Sequence, residues 1–527
     1  MGISSVAWSY DQESSPVYIG QSVVPVILNV DLRTIPVAEP WKPGDPVKVV
    51  PEHVASEGAV PFDPDWVDPL VAESTVGSAR YPVTNNFAGI AYTGVRPPDT
   101  VGDVGPNHYV QMVNATQLQI WDKNGNTLAG PIELSDLWDG APSSECAGGN
   151  GDPIVVYDWA ADRWFLSEFD SSANNLCFYI SQGPDPVADG WFVYDFSAPN
   201  FPDYPQYGVW PDAYYVTSFE GSVLGLYAFD RDELLQGNAA AFQRFSIPAL
   251  SGTSPRATRI LPTDLDGTTP PPSGSPNFLI RSVHASQDSS NLTDRLEIFE
   301  FSVDWDTPRN SSVSLAQELP VADFNLLPCG PGVRDCVEQP GTANLLDALY
   351  NRVLRRAQYR NFGTYESIVL NQVVDAGAGV AGKRWWELRR PIAARGGADW
   401  DIHQEGTLAP DTASRFMGSI AVNGDGDIAI GYSISSDTIV PGIRFAGRHA
   451  DTPSGTMLGE TTILEGVGIQ TNSQRWGDYS SLNIDPSDDR TFWFTSQYIQ
   501  ANNFSWATHI ASFTLEENIF TDGFETP

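Results

Sequence analysis

The chain has 527 residues, which is long enough for one large domain or several ordinary ones. Its 29 Lys and Arg residues stand against 66 Asp and Glu residues, giving a net charge of −37. Such a surface repels nucleic acid and anionic membranes, so we expect neither as a partner. The acidic excess suits a soluble extracellular protein, either for solubility alone or to hold cations.

The cysteines indicate an oxidising compartment. An even count of four, at low frequency, fits two disulfides. Cys329 and Cys336 enclose a small Gly-Pro loop and are expected to pair, which leaves Cys146 with Cys177. No stretch reaches the roughly 18 to 20 apolar residues of a membrane span. We expect a secreted monomer, and because Met1 leads straight into polar sequence, the chain would be a trimmed mature form with an added start.

The first part of the chain predicts an extended arm. Residues 1–85 are rich in Pro and Val and are expected to lie on the main body. The segment Ser22–Val30 could add an edge strand, although Pro25 would restrict its pairing.

From about residue 95 onward, short apolar strands alternate with turns rich in Gly, Pro and Asp. Units of about four strands begin roughly every 50 to 80 residues. This pattern predicts an all-β protein, a β-propeller of about seven four-stranded blades over residues 86–515. The arm is expected to supply a strand to the last blade, and residues 516–527 form a tail. Two stacked β-sandwiches are the alternative.

One short helical insertion is predicted between the fourth and fifth blades. In the segment 344–356, Leu345, Leu349 and Val353 recur at helical spacing, and arginines gather at its end.

Five motifs resemble a functionally uncharacterised family of large secreted bacterial proteins that is expected to be propeller-like. The resemblance covers about residues 95–515, and the segment Ile519–Glu525 looks like a short tail of exported bacterial proteins. The motifs are Pro97–Gln111, Leu261–Gly267, Arg360–Ser367, Met417–Ala421 and Arg475–Ser481.

A weaker likeness connects the chain with sialidase-type propellers. Ser487–Phe492 is similar to their Asp-box turn but lacks its glycine. No set of three arginines with a nucleophilic tyrosine is evident, so sialidase activity is not implied.

Several carboxylates could carry chemistry. Four Asp residues follow Gly or Pro at corners that we expect to open onto one end of a central channel, and Glu366 aligns with Ser480 in a related motif. Clustered carboxylates can cleave glycosidic bonds or bind Ca²⁺. Alternatively, each Asp caps its own turn. The candidate catalytic residues are Asp103, Asp152, Asp212, Glu366 and Asp478.

Other residues are candidates for binding substrate. Arg415 and Arg475 each precede a corner, where they could bind an anionic sugar or simply pair with the Asp residues. Trp476 and Tyr479 adjoin the last corner, and His108 is expected on a rim loop.

Two acidic turns resemble the first half of a calcium loop. They contain Asp425 and Asp427 in one case and Asp264 and Asp266 in the other. A plain hairpin turn is the alternative for the first, because no glutamate follows at the required distance. Calcium is therefore expected, if at all, as a structural ion.

Together these features favour a secreted propeller enzyme that cleaves an extracellular polysaccharide, as a glycoside hydrolase or a polysaccharide lyase. The alternative is a non-catalytic, calcium-stabilised propeller that binds glycans or a cell-surface partner. Propellers host both functions.

Overall fold

The chain is organised as a ring of antiparallel sheets. Its structure, a computed structural model, describes residues 16–50, 63, 65–71, 81–114, 116–138, 144–148, 151–248, 259–288, 290–326, 328–330, 333–392, 399–500 and 505–516. The predicted tail segment Ile519–Glu525 lies outside them. Within these residues, seven units of four antiparallel strands form the blades of a β-propeller, with blades 4 and 5 joined in one eight-stranded sheet, which confirms the predicted fold class.

The blades follow one another along the chain, and their strands run from the inside of the ring outward. They are Val101–Val104, His108–Val113, Gln117–Asp122 and Thr127–Glu133 in blade 1; Gly151–Asp158, Arg163–Asp170, Asn175–Ser181 and Trp191–Ser197 in blade 2; Asp203–Val209, Tyr214–Glu220, Val223–Phe229 and Phe242–Pro248 in blade 3; Leu261–Asp266, Asn277–Val283, Arg295–Ser302 and Ser312–Pro320 in blade 4; Val353–Asn361, Tyr365–Asp375, Ala381–Pro391 and Asp401–Leu408 in blade 5; Ser414–Val422, Ile428–Ser435, Gly442–Arg448 and Thr461–Leu464 in blade 6; and Ser481–Ile484, Phe492–Ile499, Trp506–Phe513 and Val83–Ala91 in blade 7.

The innermost strands form the wall of the central channel. Each contacts the next around the ring, and the inner strand of blade 7 contacts that of blade 1. The inner strands of blades 4 and 5 pair in parallel, Thr263 opposite Ala357. All inner strands therefore begin at one end of the ring, here called the entry mouth, and finish at the other, the exit mouth.

The N-terminal segment closes the ring. Val83–Ala91 pairs antiparallel with Trp506–Phe513 and supplies the outer strand of blade 7, so the predicted end of the arm at residue 85 falls inside this strand. Two further strands extend blades at their outer edges: Val26–Leu28 joins blade 2 and Tyr18–Ile19 joins blade 3.

Large aromatic side chains fill the spaces between blades. Phe165 of blade 2 stacks on Tyr214 of blade 3 with ring centroids 4.9 Å apart. Tyr109 of blade 1 stacks on Trp493 of blade 7 at 5.3 Å. Such contacts hold neighbouring sheets together, and they account for many of the 16 Trp residues as core rather than as ligand-binding groups.

The predicted helix at 344–356 is wrong in its position. A short α-helix does occur, at Arg231–Gln236 between the outer strands of blade 3. In 344–356 the chain instead forms a two-residue strand, Leu346–Asp347, paired with Asp335–Val337, and then enters the inner strand of blade 5. The backbone is left-handed at Leu349 and Asn351, with φ of 45° and 67°, which no helix permits.

The remaining short elements lie between the blades. Lys48–Val49 pairs in parallel with Val95–Arg96. Short 3₁₀ turns are found at Leu32–Thr34, Leu134–Trp138, Glu145–Gly148, Ala285–Gln287 and Pro308–Asn310. None of the helices in the described part of the chain is both long and apolar enough to cross a bilayer.

Both predicted disulfides are confirmed. Cys146 is bonded to Cys177, and Cys329 to Cys336. The first joins the loop before blade 2 to that blade's third strand, so it fixes the chain just ahead of the entry of blade 2.

Removing the Cys146–Cys177 bond is expected to destabilise the protein more than removing the Cys329–Cys336 bond. The bonded residues are 31 apart in the first case and 7 in the second. The chain-entropy relation then gives losses of about 3–4 and about 2–3 kcal/mol. Paired Cys→Ala variants, compared by denaturant unfolding, check the order. A larger loss for the Cys329–Cys336 pair would contradict it.

Candidate active site

The entry mouth brings together residues from six of the blades. Each lies within the few residues that precede or begin an inner strand, and together they line a cavity of about 200 Å³. The residues are Asp99 of blade 1, Asp152 of blade 2, Asp203 of blade 3, Arg259 of blade 4, Arg352 of blade 5, and Arg475 and Asp478 of blade 7.

A recurring backbone distortion aims these side chains at the cavity. Asp99, Asp152 and Tyr204 have left-handed φ values of 43°, 46° and 52°. The inner strands of blades 2 and 3 also carry a β-bulge directly after the corner. A bulge redirects the side chain next to it, and strained backbone is retained where the surrounding structure fixes it.

Hydrogen bonds join the carboxyl groups into one network. The backbone N–H of Asp478 donates to Asp99 Oδ1 at 2.7 Å. Arg475 Nη2 donates to Asp478 Oδ2 at 2.8 Å. The Tyr479 hydroxyl donates to Asp152 Oδ2 at 3.0 Å. The acidic groups of blades 1, 2 and 7 are thus held by fixed partners rather than by mobile side chains.

The carboxyl groups differ in how readily they ionise. Burial, followed by the charges of Asp99, Asp203 and Asp478, raises the pKa of Asp152 well above its ordinary value. Burial and the charge of Asp478 likewise raise the pKa of Asp99 to about 7. Burial opposes ionisation of Asp478 too, but Arg475, Arg334 and Arg352 outweigh it and lower its pKa. The cavity therefore combines a carboxyl group whose pKa is lowered with two whose pKa is raised, which is the division that acid–base catalysis uses.

Aromatic rings support the cavity. Tyr204 and Tyr479 stack with centroids 5.1 Å apart and an interplanar angle of 26°. The guanidinium carbons of Arg259 and Arg352 lie 5.2 and 5.1 Å from the centre of the Tyr204 ring. Lys48 and Arg334 complete the cationic lining, and Arg334 is paired with Asp347. The sequence did not predict this group of arginines, because its members lie far apart along the chain.

The prediction that all four Asp corners open to one mouth is wrong for Asp103 and Asp212. Asp103 is near the end of its inner strand, where it accepts the Tyr157 N–H at 2.8 Å. Asp212 lies in the turn after its inner strand and accepts from the Tyr215 hydroxyl at 3.2 Å. Both belong to the exit side. Burial raises the pKa of Asp103 to about 8 and that of Asp212 to about 6. Both carboxyl groups therefore have shifted pKa values although neither lines the entry cavity.

Glu366 also lies away from the entry mouth. It is near the start of the second strand of blade 5, whereas Ser480 immediately precedes the inner strand of blade 7, so the alignment of the two motifs is wrong. Arg390 Nε donates to Glu366 Oε2 at 2.5 Å, and the Tyr359 hydroxyl donates to Oε1 at 2.6 Å. Glu366 is 2% exposed, and its contacts stabilise the fold of blade 5.

The predicted substrate-binding residues divide in the same way. Arg475 lines the cavity and Tyr479 supports Asp152. Trp476 is 1% exposed and donates its indole N–H to Ser433 Oγ, so it fills the core. Arg415 is fully buried and paired with Asp411 and Glu460, both at 2.7 Å. His108 begins the second strand of blade 1 on the exit side, 3.7 Å from Asp185.

The predicted metal ligands all have protein partners. Asp264 and Asp266 lie on the inner strand of blade 4, at 3.4 and 2.6 Å from nitrogens of Arg356. Asp425 pairs with Arg490 at 2.8 Å. Asp427 accepts the Ala450 N–H in the hairpin between two strands of blade 6. Among the described residues, no three His, Cys, Asp or Glu side chains form a group suited to a metal.

Calcium stays a prediction that one measurement checks. If a structural calcium ion is bound, a chelator will lower the melting temperature and added calcium will restore it, because a ligand that binds only the folded state stabilises it. An unchanged melting temperature would contradict calcium binding.

A larger cavity, of about 600 Å³, lies at the exit mouth. Its lining is mostly apolar and includes Trp159 and Trp210. Its buried carboxylate, Asp158, is held by Arg231 at 2.6 Å and by the Tyr214 hydroxyl at 2.9 Å. Its other carboxylate, Asp162, is exposed and accepts the Tyr157 hydroxyl at 2.5 Å. The smaller entry cavity, which is lined by four Asp residues, is therefore the better candidate for chemistry.

Sequence reasoning missed four residues of the entry cavity, namely Asp99, Asp203, Arg259 and Arg352. Asp99 lies inside the motif Pro97–Gln111, but the sequence pattern of a corner after glycine predicted Asp103 as the candidate instead. The signal that finds all four is a charged residue within the three positions at or before the start of an inner strand. Using it requires strand boundaries that are correct to one residue, which sequence patterns do not provide.

Comparison with known proteins shows likeness in shape only. No family model matches the chain, and no curated protein matches it in sequence. The WD40 domain of SCAP from fission yeast is similar at 10% identity and a TM-score of 0.34, over 82% of this chain and 98% of that one. An endo-arabinase from Bacteroides thetaiotaomicron is similar at 10% identity and a TM-score of 0.24, over 69% and 93%. A levansucrase mutant from B. megaterium is similar at 9% identity and a TM-score of 0.29, over 76% and 94%. Likenesses this low carry no argument about activity.

Proposed function

We propose that the protein hydrolyses glycosidic bonds of an extracellular polysaccharide at the entry mouth. The observation that carries this proposal is that Asp152 and Asp478 line one cavity, where Arg475 bonds to Asp478 and lowers its pKa while burial and neighbouring carboxylates raise the pKa of Asp152. Two carboxyl groups in opposite protonation states are what glycoside hydrolysis uses.

In the proposed reaction, Asp152 is the general acid. It gives its proton to the glycosidic oxygen as the bond from that oxygen to the anomeric carbon breaks. Asp478 accepts a proton from the water whose oxygen forms the new bond to the same carbon. The sum is addition of one water, and proton exchange with solvent returns both carboxyl groups to their starting states.

The neighbouring residues hold this division in place. Tyr479 fixes the orientation of Asp152, and Arg475 fixes that of Asp478. Asp99 accepts the N–H of Asp478, which ties the corner of blade 7 to that of blade 1. Because six blades contribute to the cavity, the active site depends on the whole ring and is assembled only when blade 7 is closed.

The rate is expected to depend on pH as a bell. Hydrolysis requires Asp478 ionised and Asp152 protonated, so kcat/KM falls as pH drops through the lowered pKa of Asp478. It also falls as pH rises through the raised pKa of Asp152. Asp99→Asn removes a like charge beside Asp152 and is expected to move the alkaline limb to lower pH. An alkaline limb unmoved by Asp99→Asn would contradict the assignment.

A panel of extracellular polysaccharides, with product analysis, tests the function itself. Cleavage by the wild type that is lost in Asp152→Asn and Asp478→Asn supports the proposal. Binding of a glycan without cleavage by any of the three proteins would instead support the non-catalytic alternative, a glycan-binding propeller.

A further inference from the structure

We propose that the entry cavity recognises a carboxylate group on the sugar, so that the substrate is a uronate-containing polysaccharide. This inference rests on the function proposed above and names the substrate class of the same site. It is carried by the arginines around Tyr204, and above all by Arg352.

Arg352 is a buried cation that has no ion-pair partner among the residues that the structure describes. It is 6% exposed and lines the cavity. Its Nε donates to the side-chain oxygen of its neighbour Asn351 at 3.3 Å, and its guanidinium lies against the Tyr204 ring. No carboxylate of the described residues lies within ion-pairing distance of it, since Asp478 acts on it only at longer range.

Some other buried arginines in the described chain have an ion-pair partner, whereas Arg355 and Arg448 bond to backbone carbonyls and line neither of the two cavities described above. Arg281 lies 2.5 Å from Glu297, and Arg384 lies 2.8 Å from Asp68. Burying a charge is costly unless an opposite charge or strong hydrogen bonds compensate it. At Arg352 the cavity is where the compensating anion would sit, and a carboxylate there could accept two hydrogen bonds from the guanidinium.

The composition of the cavity supports the same conclusion. The whole chain has only 29 Lys and Arg residues, and five of them line this one cavity of about 200 Å³. Arg259 flanks Tyr204 beside Arg352 and also packs on Phe219 at 4.5 Å. Four Asp residues line the same cavity, but so many cations in one place, in a protein of net charge −37, are not a by-product of composition.

The size of the cavity limits what enters it. Pockets that enclose a whole ligand are typically about 300–1,000 Å³. A volume of about 200 Å³ accepts one sugar ring with its charged substituent, while the rest of the polymer lies across the mouth. The carboxylate would then face Arg352 and Arg259, and the adjoining glycosidic oxygen would face the Asp152 side.

The test separates binding from cleavage. Titration calorimetry on Asp152→Asn, which binds without turnover, uses trisaccharides of galacturonate, glucuronate and mannuronate, each as the free acid and as its methyl ester. The acid of at least one sugar is expected to bind about 10- to 100-fold more tightly than its ester, because esterification removes a charge-assisted hydrogen-bonded pair. Equal affinity of acid and ester for all three, or no binding of any, would overturn the proposal.

Variants locate the carboxylate. Added to Asp152→Asn, Arg352→Met keeps the apolar stem and is expected to abolish the preference for acid over ester, while Arg352→Lys retains part of it. Arg490→Met, at an exposed ion pair elsewhere, is the matched control and should leave the preference unchanged. A preference that survives Arg352→Met in a protein with an unchanged melting temperature would overturn the role of Arg352. If acids are preferred but wild type cleaves none of them, carboxylate recognition stands and the hydrolase function fails.

Discussion

Asp478→Asn is expected to lower kcat on the order of 10³-fold, because proton transfer by a positioned side chain contributes about 10² to 10⁴ to the rate. The change keeps the shape of the side chain and leaves the backbone N–H that Asp99 accepts. It removes the ionised carboxylate beside Arg475, and it also removes a negative charge that raises the pKa of Asp152. The pKa of the general acid, Asp152, would therefore fall, and a smaller fraction of Asp152 would be protonated at neutral pH.

Initial rates on the best oligosaccharide of the panel measure this effect. Asp425→Asn is the matched control, because it removes the same type of group from an Asp–Arg pair that is about half exposed, away from the cavity. The control should retain the wild-type rate. A fall of less than about tenfold in Asp478→Asn would show that this carboxylate does not transfer the proton.

Arg415→Met is expected to destabilise the fold by about 3 kcal/mol while leaving substrate affinity unchanged. The guanidinium is fully buried, and Glu460, with a side chain 12% exposed, would lose the nearer of its two arginines. Removing one partner of a buried ion pair costs about 3–5 kcal/mol. Because Arg444 would remain near Glu460, we expect a loss at the lower end of that range.

Denaturant unfolding measures the loss, and the KM of the folded fraction measures affinity. Arg490→Met breaks an exposed pair and should cost less than about 1 kcal/mol. If the Arg415→Met protein instead had normal stability and a raised KM, Arg415 would contribute to substrate binding, as its position before a strand corner had suggested.

The fold was readable from the sequence because its information is local and repeated. Each blade needs short apolar strands and tight turns, and seven repetitions make the pattern clear even where single strands are ambiguous. The segment 344–356 misled because Leu345, Leu349 and Val353 match a helical period. The inner strand that follows is buried on both faces, so it shows no alternation that would have identified it as a strand.

The site was only partly readable, because it depends on which end of a strand a residue occupies. Asp152 starts its inner strand and Asp103 lies near the end of its own, yet both follow a glycine. A shift of three residues along an inner strand moves a side chain by about 10 Å, from one mouth into the channel. Of the three arginines Arg259, Arg352 and Arg475, only Arg475 was predicted, since the three come together only when the ring closes.

The most direct test of the account is to follow where oxygen goes. Wild-type protein is incubated in heavy-oxygen water with the uronate oligosaccharides and their esters, and the products are analysed by mass spectrometry. The account predicts one labelled oxygen at each new reducing end with wild type, and intact substrate with Asp152→Asn and Asp478→Asn. Unlabelled, unsaturated products would indicate lyase chemistry and contradict hydrolysis. Labelled products formed by both variants would show that hydrolysis does not take place at the entry mouth.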